Sequence, residues 1–412
     1  MKKILYNLQL SSVGKHGKIL LDKDSNLILW QNTVIAFNRY LKNEYEHHVI
    51  IPDSTLSEGF HGYMLKNTHY HVSGLTHTNS AYSGRYHWHA NEMRNILRKV
   101  RPDVIWENNP SLVNNWKTIL MEEKLIDKIP VITYNHWVDS IHYPKLDRRC
   151  PYSMRQAEGF LLADLILCNS HFIKEQIQEQ VKETFKETFI QLYKKKPLGS
   201  YIHPFPPIMD EYEFQSKNYN IEKRDVVRII YNHRLSSLGY YKDSFKMFLA
   251  VLNQLKTRSL KKPVEVVITD VSGKIKERKD IDFEDGSGVR IILKGNMDRK
   301  TYLKEMFNSD ICVGLFPHGN GGGWSISLAE GIMTGCAVLI PEHSGYAEMA
   351  PEYSSVKVYP KMRQVKEKLM KLINDKQERN KNSRIAFEFY DSNYNSKKLI
   401  MDLHKKLKKV FK

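Results

Sequence analysis

Cysteine is scarce. Four stand in 412 residues, Cys150, Cys168, Cys312 and Cys336, widely spaced and three of them in apolar segments. That spacing argues against a disulfide framework and against a zinc ribbon, and a reducing cytoplasm fits it. Also missing is any apolar run of about 18 residues, the length that a membrane-spanning helix needs. The start, Met1-Lys-Lys-Ile-Leu-Tyr6, reads as a first strand and not as a secretory leader. No internal repeat is found. Acidic residues are in the minority, 46 against 63 Lys and Arg, which leaves a net charge of +17 and the expectation of an acidic partner.

What is present concentrates in one stretch. Asp310 to Ile340 reads strand, glycine loop, helix, strand. Residues 311–316 form a short apolar run suited to a buried parallel strand, and Gly319, Gly321, Gly322 and Gly323 let the backbone come close to a ligand. Ser325 or Ser327 caps a short helix, Gly335 falls where that helix ends, and 336–340 return to the sheet. An anion would be held at the helix N-terminus. The competing reading is a glycine turn that only eases packing between strand and helix. A dinucleotide fingerprint is not met, because Trp324 occupies the third glycine position. Glu330 favours the ligand reading, since a carboxylate inside an apolar helix needs a partner.

The segment from Gly323 to Pro341, followed by Ser344-Gly-Tyr-Ala-Glu348, resembles the donor-site signature of retaining GT-B glycosyltransferases of the glycogen-synthase-like superfamily. That signature carries two glutamates, the first meeting the sugar and the second the ribose. The resemblance implies the ribose role for Glu330, while Gly322 stands where the first glutamate belongs. Backbone amides of Gly321 to Gly323 would replace that carboxylate, with His318, Trp324 and Ser325 beside them. Upstream, Val226 to Phe245 runs from strand through loop to helix and holds Arg234 and Lys242, where the family places the cations that clamp the diphosphate. Its Tyr231-Asn-His-Arg234 is similar to the tRNA-queuosine mannosyltransferases. Without the donor loop both would be read as solvated surface charges. No pair of aspartates accompanies these segments, so fixed cations and not a metal would neutralise the leaving group. Gly295 to Tyr302 resembles the family's turn into the helix beside the donor. The resemblance implies an α/β fold of the GT-B type, two Rossmann-like parallel-sheet domains facing across a cleft. It also implies transfer of a hexose or pentose with retention, a nucleoside-diphosphate sugar as co-substrate with a UDP-sugar favoured, and no required cofactor.

Strands alternate with helices in both halves. Strands are expected at 3–8, 48–52, 103–107, 130–134 and 165–168, with helices at 28–44, 90–100 and 154–163 between them. A second set follows at 226–231, 264–269, 290–293, 311–316 and 336–340. An acceptor domain over 1–205, a linker at about 200–224 around His203-Pro-Phe-Pro-Pro207, and a nucleotide-sugar domain over 225–375 follow from this, with 376–412 as helices crossing back to the first. Tyr134-Asn-His-Trp-Val-Asp-Ser140 leaves the end of a strand, where open sheets bind ligands. By resemblance to the histidine after this strand in the family, and to a Tyr-x-His stretch of the T-even phage DNA α-glucosyltransferase, His136 is placed beside the sugar. Asp139 is either a group that orients or deprotonates the acceptor hydroxyl or a simple cap.

The aromatic and basic run Tyr82-Ser-Gly-Arg-Tyr-His-Trp-His89 points to nucleic acid. Arg85, Tyr86 and Trp88 lie in it, Arg94 and Arg98 follow on one helix face, and Arg148, Arg149 and Arg155 would extend the patch. A solvated basic surface over buried aromatics is the plainer alternative. With the Lys, Asn and Tyr content of phage proteins, a hydroxylated pyrimidine base in DNA is the preferred acceptor, in a host cytoplasm. A polysaccharide or lipid-linked glycan at an anionic membrane is the alternative, because Leu399, Ile400, Leu403, Leu407, Val410 and Phe411 oppose lysines along 397–411. A non-catalytic nucleotide-sugar or DNA-binding protein is the other, resting on Gly322. His69-x-His71 and His87-x-His89 suggest a metal, but with no Cys or carboxylate clustered beside them in sequence a non-metal role is expected.

Overall fold

The computed structural model describes residues 1–8, 25–52, 64–73, 89–135, 138, 151–211, 213–222, 225–233, 239–256, 260–270, 289–295, 297–316, 322–352, 354–359 and 361–411. The strands are β1 (Lys2–Asn7), β2 (Tyr45–Pro52), β3 (Thr68–Ser73), β4 (Val104–Glu107), β5 (Val131–Asn135), β6 (Leu165–Cys168), β7 (Ile202–Pro204), β8 (Val227–Tyr231), β9 (Val264–Asp270), β10 (Val289–Gly295), β11 (Ile311–Val313), β12 (Ala337–Pro341) and β13 (Lys357–Val358). The α-helices are α1 (Ser25–Tyr40), α2 (Ala90–Val100), α3 (Val113–Glu122), α4 (Pro151–Leu162), α5 (His171–Thr184), α6 (Glu187–Tyr193), α7 (Gly239–Lys256), α8 (Arg299–Phe307), α9 (Ile326–Met333), α10 (Met362–Asn374), α11 (Lys376–Tyr394) and α12 (Ser396–Val410).

Two compact units result. The first comprises residues 1–208 and 396–412, the second 209–395. The first holds a sheet in the order β3-β2-β1-β4-β5-β6-β7 and the second one in the order β10-β9-β8-β11-β12-β13. Every pairing is parallel. Parallel strands are covered on both faces, which is why Leu-Ile-Leu-Cys in β6 and Ile-Cys-Val in β11 are wholly buried. Along β8 the period of two divides the core: Ile229 and Tyr231 join one apolar layer and Ile230 the other. In α2 the buried Met93, Ile96, Leu97 and Val100 fall at helical spacing and turn one face inward. The winding of each sheet reverses between β1 and β4, and again between β8 and β11. At such points open α/β sheets bind ligands, beyond the carboxyl ends of the strands.

All ten expected strands are present, and three were not read from the sequence: β3, β7 and β13. β11 stops at Val313, where the expected strand runs to 316, and the chain continues as the buried Gly314, Leu315 and Phe316. Within 376–412, α11 lies in the second unit and α12 in the first. The apolar side of α12 corrects the membrane reading. Leu399, Ile400, Leu403 and Leu407 are buried, and His404 Nδ1 sits 2.7 Å from the Tyr45 hydroxyl, so this face packs against the protein and is not presented to lipid. No helix among the described residues is long and apolar enough to cross a membrane.

Candidate functional site

In the second unit the site is assembled from β8, α8 and α9 (elements far apart in sequence). Beyond β8, Asn232 and His233 are buried. The Asn232 amide donates to the Ser327 carbonyl and to the Tyr302 hydroxyl, both at 2.9 Å. His233 Nε2 bonds the Val313 carbonyl at 3.0 Å, tying β8 to β11, and burial pulls its pKa down to about 4, so the ring is neutral at pH 7. Ser325 is the cap of α9, its side chain accepting from the Leu328 amide, and Gly335 supplies the left-handed turn after it, at φ 81°.

Glu330 faces inward from α9 and is held at both oxygens. Arg299 donates to Oε1, and the Tyr302 hydroxyl donates to Oε2 at 2.5 Å. The other side of the Arg299 guanidinium forks onto Glu213, at 2.7 and 2.9 Å. Burial would weaken the charge on Arg299, but the carboxylates of Glu330 and Glu213 outweigh it and hold the group above its ordinary pKa. Burial, and then Glu330, push the Tyr302 phenol well above its usual range, so it remains a donor. Asn232, Tyr302, Glu330, Arg299 and Glu213 thus form one continuous polar chain. Of its members only Glu330 was singled out from the sequence. Arg299 and Tyr302 lie in the turn and helix compared with the family and Asn232 in the compared Tyr231-Asn-His-Arg234, whereas Glu213 carried no signal.

Gly322 has a physical reason. A Cβ built on it would lie 2.2 Å from the Tyr346 hydroxyl oxygen and 2.7 Å from Cζ. Tyr346 is itself held, stacked on Phe316 with ring centroids 4.6 Å apart, while the Gly345 amide bonds the Gly322 carbonyl at 2.9 Å. A tyrosine from the segment after β12 therefore fills the space into which a glutamate at 322 would have to grow. Gly322→Ala is expected to cost about 1–3 kcal/mol as an overpacking change. The cost should shrink in a Tyr346→Ala background, and denaturant unfolding of the double-mutant cycle checks this. The Trp324 indole is buried against Tyr390 and Tyr394 of α11, the latter 4.4 Å away. Gly295 closes β10 at the edge of the sheet, and Gly323 is buried beside Gly322.

Lys242 lies in the first turn of α7, with nothing described of its side chain. Arg234, His318 and Gly321 fall outside the described residues, as do His136, Asp139, Arg85, Tyr86, Trp88, Arg148 and Arg149. Arg94 and Arg98 are described, and each has carboxylate partners. Arg94 pairs with Glu122 and with Glu123, and Arg98 forks onto Glu123 at 2.8 and 2.9 Å. Both cations expected on that face are thus matched by carboxylates at the end of α3. At the switch point of the first sheet stands a carboxylate not read from the sequence, the buried Glu107. It accepts from Asn7 at 2.6 Å, from the Trp116 indole at 3.0 Å and from the Asn109 amide at 2.8 Å. Burial pushes its pKa up to about 7 against those three bonds.

Two parallel sheets of seven and six strands, wound as described, define the GT-B fold of glycosyltransferases. The model of the domain described as Glycosyltransferase Family 4 matches residues 31–184, in the first unit. Solved structures agree in fold over whole chains. Sucrose-phosphate synthase from Thermosynechococcus elongatus superposes with a TM-score of 0.70 at 10% identity, over 100% of this chain and 99% of the other. Anabaena HepE in complex with UDP-glucose gives 0.65 at 11% identity, over 99% and 100%. A glycosyltransferase from Rickettsia africae gives 0.65 at 13% identity, over 100% and 99%. No curated protein matches by sequence.

Proposed function

We propose that this protein is a retaining glycosyltransferase that moves a sugar from a nucleoside-diphosphate sugar, a UDP-sugar by preference, to a hydroxyl acceptor. The observation that carries the reading is the fixed carboxylate of Glu330. Arg299 and Tyr302 use one position on each oxygen, and a carboxylate offers about four, which leaves acceptor capacity for two ribose hydroxyls. Fixing the group beforehand removes the ordering cost from binding. The fold and the family match support the same class, and the UDP-glucose bound by HepE supports the choice of nucleotide.

In this reading Arg234 and Lys242 hold the charge that develops on the departing diphosphate. The acceptor hydroxyl approaches on the face the diphosphate leaves, and a diphosphate oxygen takes its proton, which gives retention. His136 is assigned to the sugar and Asp139 to the acceptor hydroxyl. Gly322, backed by Tyr346, offers the donor sugar a backbone amide in place of a carboxylate. DNA carrying a hydroxylated pyrimidine remains the proposed acceptor, supported by the run from Tyr82 to His89, with Arg94 and Arg98 already paired to carboxylates.

The test is incubation with a panel of nucleotide sugars in the presence of hydroxymethylated DNA, RNA or glycan, read by mass spectrometry. Consumption of a UDP-sugar with a matching mass gain on DNA is the expected result. A gain on glycan alone would replace the acceptor. Failure to bind or consume any nucleotide sugar would overturn the reading.

A further inference from the structure

We propose that Glu46, His48 and His69 form a binding site for one zinc-like divalent transition-metal ion at the edge of the first unit's sheet. The parallel register of β2 and β3 sets His48 opposite His69. Residues two apart on a strand share a face, so Glu46 and His48 lie on the same side of β2, and His69 and His71 on the same side of β3. The carboxylate that the sequence did not show beside His69 and His71 is therefore brought by the neighbouring strand.

One ligand atom from each of Glu46, His48 and His69 lies within 4.8 Å of the other two. Glu46 Oε1 is 2.8 Å from His48 Nε2 and 3.3 Å from His69 Nε2. A tetrahedral zinc with bonds of about 2.0–2.1 Å needs its donors roughly 3.3 Å apart, so small rotamer adjustments close the set. Two imidazoles and one carboxylate suit zinc and its neighbours in the first transition row, not magnesium or calcium. Three protein ligands leave a fourth position for water. The access is there, since the His69 side chain is 59% exposed while that of His48 is 8% exposed.

His71 completes the arrangement from behind. Its Nε2 lies 3.0 Å from His48 Nδ1. When His48 Nε2 binds metal, Nδ1 carries the ring proton and donates to His71 Nε2, the outer contact that orients a ligating histidine. The rings of His48 and His69 already stack at 4.7 Å. β3 is an edge strand, and an ion here would staple it to β2. The inference is independent of the glycosyl-transfer reading, because no member of the cluster takes part in it.

The experiment uses the full chain, stripped with a chelator and titrated with Zn²⁺ by calorimetry at pH 7.5, with Co²⁺ absorption reporting the coordination. The wild type is expected to bind one ion that Glu46→Gln and His69→Ala each weaken by at least about 10-fold, with His71→Ala weakening it by about 10–100-fold through the outer contact. Zn²⁺ should raise the melting temperature of the wild type and not of Glu46→Gln or His69→Ala. His69 is exposed, so its removal leaves the core intact and loss of binding cannot be ascribed to unfolding. No ion bound by the wild type, or unchanged affinity in Glu46→Gln and His69→Ala, would overturn the site and leave a hydrogen-bonded histidine cluster.

Discussion

Arg299→Ala is expected to destabilise the second unit by about 3 kcal/mol or more and to weaken UDP binding at least about 10-fold. The guanidinium bridges two carboxylates, Glu330 with its side chain 6% exposed and Glu213 with its side chain 25% exposed. Removing one partner of a buried pair leaves the other charge without compensation, which costs about 3–5 kcal/mol. The Tyr302 hydroxyl would remain on Glu330 but carries no charge. Arg299→Lys keeps the charge and loses the fork, so it should fall between wild type and alanine. Thermal unfolding and UDP calorimetry on the same preparations measure both effects. A variant melting with the wild type and binding UDP equally well would remove Glu330 from the nucleotide site.

The second large effect is on turnover. Arg234→Ala and Lys242→Ala are each expected to lower kcat by about 10²–10³, the range found when one donor to a developing charge is removed, with folding unchanged. The anchoring just upstream supports the choice of position: His233 is tied to β11 and Asn232 to α8 and α9, so the chain leaves β8 from a rigid root. Steady-state kinetics with the best sugar from the panel, beside circular dichroism, decides it. Near wild-type turnover in both variants would dismiss the diphosphate clamp and leave the fold assignment untouched.

Several features were legible because they are local. Continuous apolar runs such as Val-Leu-Ile at 338–340 mark parallel strands, and the Gly335 turn ends α9 where expected, while the cap, open between Ser325 and Ser327 in the sequence, is Ser325. β3 was not legible, since Thr-His-Tyr-His-Val-Ser lacks an apolar run, and β7 and β13 are too short to show a period. The apolar stripe of α12 was legible but its cover was not, with the first domain and an anionic membrane both open, because amphipathicity reports that a face is covered and not by what.

The sequence by itself determined the alternation of strand and helix, the position of the glycine loop and the presence of a carboxylate in an apolar helix. Each depends on spacing along a few turns or strands. Tertiary structure alone decided which charges meet. Glu330 finds Arg299, Arg98 finds Glu123, and Glu46 finds His69, because sheet register and helix docking join residues that no sequence interval relates. A cation's availability for a ligand depends on those partners, since a charge held by a carboxylate at hydrogen-bond distance has less to offer a phosphate than the same residue in solvent.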